Sequence, residues 1–213
     1  MLEKPRTPQP PFEHLKEIFS EIEKETTASY LGYEYEKIIQ TDSFKKWFEG
    51  SKAVDKNNQP LLMYNGAFLR PEDDPNMGNK FKNGYLATDG SNRGRGALGA
   101  YFTSSYASID EIMDMNEGPG QNVITKAFLK IKNPIYVPKN EDISHMIDRM
   151  FPDPDLSFEE IKKRLQGEGY DGIIQNHRFG YYDDEYVAFE QDQILMLPNQ
   201  VDPELDLEIK NSN

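Results

Sequence analysis

Gly169-Tyr170-Asp171-Gly172-Ile173-Ile174, then Glu185-Tyr186-Val187-Ala188-Phe189, then Gln193-Ile194-Leu195-Met196-Leu197: this stretch decides the fold. Each piece is a short run rich in β-branched, aliphatic or aromatic residues, bounded by Gly, Asp or Asn. That pattern predicts strands at Gly172–Gln175, Glu185–Phe189 and Gln193–Leu197. A helix precedes them. Ser157 and Glu160 stand at capping-box spacing, Phe158, Ile161 and Leu165 share one helical face, and Gly167 and Gly169 stop the helix.

Further towards the N-terminus, Val123–Val137 reads as one long strand, bent near Asn133-Pro134 because proline removes a ladder donor. Tyr101-Phe102-Thr103 reads as a strand entering a helical segment near Ile109–Met115. Residues 65–99 are rich in Gly, Asn and Asp, and a loop that long inside a compact domain is functional or disordered. Val54 to Tyr64 reads as a short strand, a turn and a second strand. Thr41, Asp42 and Ser43 offer N-caps to a short helix carrying Phe44, Trp47 and Phe48, an aromatic face suited to core packing. Helical stretches are also predicted around Tyr30–Ile39 and from the spacing of Phe12, Leu15, Ile18, Phe19 and Ile22. Four prolines make residues 1–11 a flexible lead. The alternation of helices and short strands is α+β. The expected organisation is an N-terminal lead and helical extension over 1–41, a principal domain over 42–198 and an acidic tail over 199–213.

Composition narrows the chemistry. The 213 residues suit one domain with a modest extension, and 12 Tyr and 12 Phe supply buried area where aliphatic residues are sparse. The absence of cysteine excludes disulfides, thiolate catalysis and a Cys-based zinc site. His14, His145 and His177 form no ligand-spaced pair, so no metal is expected. No apolar run approaches membrane-span length and no basic-then-apolar leader is read, which leads to the expectation of a cytoplasmic protein, or one delivered into a host cytoplasm. A net charge of −13 disfavours broad affinity for nucleic acid.

Segments in order carry a resemblance: Phe44-Lys45-Lys46-Trp47-Phe48-Glu49-Gly50-Ser51 running on to Pro60-Leu61-Leu62-Met63-Tyr64-Asn65-Gly66; Gly99-Ala100-Tyr101-Phe102-Thr103-Ser104; and the strands quoted above. Together, over roughly residues 42–197, they resemble the ADP-ribosyltransferase domains of phage and mobile-element polyvalent proteins. More distantly they resemble the poly(ADP-ribose) polymerase and diphtheria-toxin branch. The resemblance implies two packed mixed or antiparallel sheets flanked by helices. It also implies a reaction in which NAD is consumed as co-substrate, without a metal, and ADP-ribose passes to a macromolecular acceptor as nicotinamide leaves.

That branch is described by a His, a Tyr and a Glu on separate strands. The Glu falls on Glu185, and the resemblance implies that its carboxylate binds the nicotinamide ribose and stabilises the cation formed as the glycosidic bond breaks. A fixed carboxylate beside an oxocarbenium-like centre suits that task. The Tyr falls on Tyr101, implied to pack against nicotinamide. A second stacking tyrosine is not matched; its region offers Ile112, Met113, Met115 or the nearer Tyr106. The His position is a departure: Tyr64-Asn65-Gly66 stands where the family has Tyr-His-Gly. Asn65 reads either as a ligand for NAD or as a turn residue, since Asn-Gly is a strong turn signal. Gly66, lacking a Cβ, would let the backbone approach the nicotinamide amide. Arg93 and Arg95, flanked by glycines, suit the NAD pyrophosphate or a solvated loop. Tyr181, Tyr182 and Asp183, ahead of Glu185, match the loop that helps select the acceptor in related toxins, and His177 reads as a surface residue. The missing histidine supports an alternative, a catalytically impaired module that keeps the fold for binding.

Overall fold

A computed structural model describes residues 35–69, 98–114, 121–177 and 184–197. The predicted helix containing Phe12 to Ile22, the Arg93/Arg95 loop, the Tyr181–Asp183 loop and the acidic tail lie outside these residues. The chain divides into two compact units, residues 1–47 and 48–213. In the first, α1 spans Tyr35–Ile38, and α2 begins at Asp42 and runs to Phe48, its last residue falling in the second unit. Thr41 begins α2: its hydroxyl oxygen accepts the Phe44 amide at 3.2 Å. Phe44 is buried and meets the Trp47 ring at a centroid distance of 5.9 Å.

The second unit holds two sheets. One has the order β1 (Met63–Leu69), β3 (Gln121–Leu129), β7 (Ile194–Met196), antiparallel throughout. The other has the order β2 (Ala100–Phe102), β6 (Glu185–Ala188), β5 (Gly172–Gln175), β4 (Pro134–Tyr136), antiparallel except for the parallel β4–β5 pair. One backbone bridge joins them: Tyr64 donates to the Thr103 carbonyl at 2.8 Å and Thr103 returns the bond at 3.0 Å.

Two apolar layers follow from strand alternation. Met63, Ala127, Leu129, Ile194 and Met196 of one sheet cluster with Ala100, Phe102, Ile174, Tyr186 and Ala188 of the other. The opposite face of the second sheet, with Ile173 and Val187, is covered by two helices, α4 (Ile143–Met150) and α5 (Phe158–Gly167), which place Ile143, Met146, Ile147, Ile161 and Leu165 against it. These helices form the crossover that a parallel β4–β5 pair requires. α4 was not anticipated, although Ile143, Met146 and Ile147 follow helical spacing and Asp142 caps it by accepting the His145 amide at 2.7 Å.

The long strand expected over 123–137 is two strands in different sheets. The break is held from a distance. Asp171 accepts the amides of Lys132 and Asn133, both at 2.8 Å, and the buried Gln193 amide donates to the carbonyls of Lys130 and Asp171 at 3.1 and 2.8 Å. Gly172 sits where strands crowd, for a Cβ there would lie 2.6 Å from the Val187 carbonyl oxygen.

The capping box of α5 is present, with Ser157 accepting the Glu160 amide and Glu160 accepting the Ser157 amide at 2.9 Å. Those bonds hold the Glu160 carboxyl below its ordinary pKa, the Ser157 backbone amide contributing most. Ser157→Ala is expected to lower stability by about 1 kcal/mol in urea unfolding. The loss should shrink as pH falls through the depressed Glu160 pKa, because protonation weakens the bond that the Ser157 hydroxyl gives the Glu160 carboxylate, which only the wild type has.

Candidate active site

Several buried polar side chains of the second unit lie at or just beyond the ends of β2, β5 and β6. β6 starts at Glu185, which is 6% exposed although its chemistry favours water. Its register partner on β5 is Gln175, 1% exposed, so these two side chains stand side by side on one face. Tyr101 pairs with Val187, two residues after Glu185, and therefore shares that face. The Tyr101 ring is partly buried against the cluster containing Leu98, Ile173, Val187 and Phe189.

Gln175 holds the buried end of β5 loosely. Its amide donates to the His177 carbonyl at a long 3.4 Å, and its side-chain oxygen has no hydrogen-bond partner among the described residues. His177 is half-buried. Its Nε2 donates to the Glu141 carbonyl at 3.0 Å, and its Nδ1 is buried with no described partner.

Asn65 and Gly66 form no turn. β1 runs straight through them, with Asn65 opposite Thr125 and Gly66 opposite Ile124. Pairing along β3 outweighs the local Asn-Gly preference. The Asn65 amide instead reaches the other sheet and donates to the Tyr101 carbonyl at 2.7 Å. Opposite it, Thr125 is 1% exposed with its hydroxyl lacking a described partner.

Gly66 packs against α3 (Tyr106–Asp114). A Cβ at Gly66 would lie 2.8 Å from Met113 Cε and 3.3 Å from Ile109 Cγ1. The missing side chain thus makes room for α3, and the thioether end that fills this space is a flexible one. Tyr64 meets Tyr106 edge-on at 5.4 Å, and Tyr106 is 49% exposed. Of the residues offered for a second stacking wall, Met113 is buried and Tyr106 presents an open ring.

Thr103 and Ser104, given no role by the sequence, meet Asp184, which the sequence placed in the acceptor loop ahead of Glu185. Asp184 accepts the Thr103 hydroxyl at 2.7 Å, the Ser104 amide at 2.8 Å and the Ser104 hydroxyl. Thr103 and Ser104 follow Tyr101-Phe102 directly, and two hydroxyl residues at a strand end were the available signal. Burial raises the pKa of the Tyr186 hydroxyl far above its ordinary value, with the Asp184 charge adding to the shift, so Tyr186 stays neutral.

The structure therefore ties Asn65 to the Tyr101 carbonyl and Tyr64 to Thr103 across the two sheets, and sets Tyr101 and Glu185 on one face of the second sheet. An α+β unit of this kind, with a buried carboxylate opening a central strand beside a tyrosine strand, has the architecture of an ADP-ribosyltransferase. The sequence agrees: residues 55–200 match the family described as ADP-ribosyltransferase in polyvalent proteins, and the chain belongs to that family. The family uses NAD as substrate. A comparison with curated proteins finds no match. Among the described residues, no helix is long and apolar enough to cross a membrane.

Proposed function

We propose that this chain transfers ADP-ribose from NAD to a macromolecular acceptor. The C1′–N1 glycosidic bond breaks, its electron pair leaves with nicotinamide, and a lone pair of the acceptor closes on C1′ while the acceptor loses a proton. The observation that carries the reading is Glu185, a buried carboxylate on the same sheet face as Tyr101 in a chain of this family. In a site of low polarity, a carboxylate fixed before the reaction stabilises the ribosyl cation without reorganising. Tyr101 holds the nicotinamide ring, Asn65 and Gly66 shape the nicotinamide and ribose end, and Arg93 and Arg95 hold the pyrophosphate. Tyr181, Tyr182 and Asp183 face the acceptor. The catalytic unit is residues 42–198, with 1–41 and 199–213 as extensions, and it acts in a cytoplasm, its own or a host's.

A second reading is favoured by one observation: the Asn65 amide is engaged by the Tyr101 carbonyl, where the family places a ligand histidine. The second reading is a module that keeps the fold and binds without turnover. NAD labelled separately in nicotinamide and adenine decides between the two. The transferase releases nicotinamide and carries the adenine label onto a macromolecule. Retention of both labels in intact NAD, at enzyme concentrations comparable to substrate, removes the transferase reading.

A further inference from the structure

We infer that Asp184 is a positioning residue for Glu185, locking the first residue of β6 to the end of β2. This rests on the reading of Glu185 as the catalytic carboxylate.

The ladder explains why such a lock is needed. On the β5 side, Glu185 is held by its pairing with Gln175. On the β2 side the pairing ends one residue earlier, at Phe102 with Tyr186. Glu185 is thus the first β6 residue beyond the register pairs with β2. The Asp184 carboxylate adds a side-chain tie between the two strands at that point. One oxygen accepts the Ser104 backbone amide at 2.8 Å and the Thr103 hydroxyl at 2.7 Å, and the other accepts the Ser104 hydroxyl. Hydrogen bonds to an ionised acceptor are about twice as strong as neutral ones.

The lock reaches further than two strands. Thr103 is the residue that bridges to Tyr64, so Asp184 is tied to both sheets through it. The Thr103 hydroxyl oxygen also accepts the Ser105 amide at 3.1 Å, and the Ser105 carbonyl accepts the Ile109 amide at 3.4 Å as α3 begins. Asp184 thus fixes Glu185 relative to the Tyr101 strand, to the Tyr64-Asn65-Gly66 strand and to the helix that packs on Gly66. Its contribution is geometric: its carboxylate is taken up by Thr103 and Ser104 and need not touch substrate.

Misplacing a reacting group by about 1 Å costs on the order of a hundredfold in rate. Asp184→Ala is therefore expected to lower kcat for nicotinamide release by roughly ten- to a hundredfold, with KM for NAD changed less than about threefold. Asp184→Asn should restore kcat to within about threefold of wild type, since its amide oxygen still accepts from Thr103 and Ser104 and its NH2 donates to the Ser104 hydroxyl. That rescue separates geometry from charge, because the equivalent neutral change at Glu185 is expected to lower turnover roughly 10²–10³-fold or more.

The kinetic measurement, with circular dichroism on each variant, has distinct outcomes. A folded Asp184→Ala protein with wild-type kcat overturns the assignment. So does an Asp184→Asn protein as impaired as Asp184→Ala, which would make the charge itself the requirement. Should Asp184→Ala fail to fold, Ser104→Ala removes one of the bonds alone and is expected to lower kcat about threefold or more. An unchanged kcat there also overturns the lock. Wild type that releases no nicotinamide overturns the functional reading itself, and this assignment falls with it.

Discussion

Glu185→Gln is expected to lower nicotinamide release by roughly 10²–10³-fold or more while leaving the fold intact. The two side chains have nearly the same size, so packing at this 6% exposed position survives the exchange. What changes is charge. The amide can still hydrogen-bond a ribose hydroxyl, but it cannot offset the positive charge that develops at C1′ as nicotinamide leaves. The ground state responds in the opposite direction. A buried carboxylate carries a desolvation cost that a neutral amide largely avoids, so thermal stability should stay level or rise. Falling activity with unimpaired stability is the pattern of a residue kept for chemistry. Nicotinamide release and a thermal melt, measured on the same preparation, test both halves. Near-wild-type release from the folded variant would take Glu185 out of the mechanism.

The strands that carry this site were legible in the sequence because their signals are local. Gly172–Gln175, Glu185–Ala188 and Ile194–Met196 are compact runs of strand-forming residues with breakers at both ends. The α5 helix was legible for the same reason, as Ser157 and Glu160 complete their box within one turn. What escaped depends on partners far away in the chain. The division of 123–137 into β3 and β4 is enforced by Asp171 and Gln193, which nothing near Asn133 announces. The α4 helix is short and its apolar positions alternate with His145, Asp148 and Arg149, so its helical spacing stood out weakly.

The site shows the same division. Glu185 and Tyr101 could be singled out by resemblance, and their common sheet face follows from register. The roles of Thr103, Ser104 and Asp184 could not be found that way, because their bonds join the end of β2 to the start of β6 across a long stretch of chain. Asn65 was read as a ligand for NAD by resemblance or as a turn residue from its neighbour Gly66, whereas its strand pairing with Thr125 and its bond to Tyr101 depend on distant residues.

That placement makes Asn65→Asp more damaging than a turn residue would allow. In a turn, Asp replaces Asn at little cost. In β1 the Asn65 NH2 is the donor to the Tyr101 carbonyl at 2.7 Å, and Asp offers a second acceptor at that point. The Asn65 hydrogen bond is lost, and a carboxylate is pressed towards the carbonyl beside the buried Thr125. The expected loss is about 1–3 kcal/mol in urea unfolding, since a part-buried donor is exchanged for a second acceptor. Because the released carbonyl belongs to Tyr101, β2 loosens at the residue assigned to nicotinamide, and nicotinamide release should fall more than about tenfold. Asn65→His, which restores the family residue, is also expected to lower release. The larger ring must displace the bond to Tyr101, and Thr125 leaves it little room. A stability unchanged by Asn65→Asp would mean that the tie between the sheets contributes nothing, and a rise in turnover on Asn65→His would favour the impaired module over the enzyme.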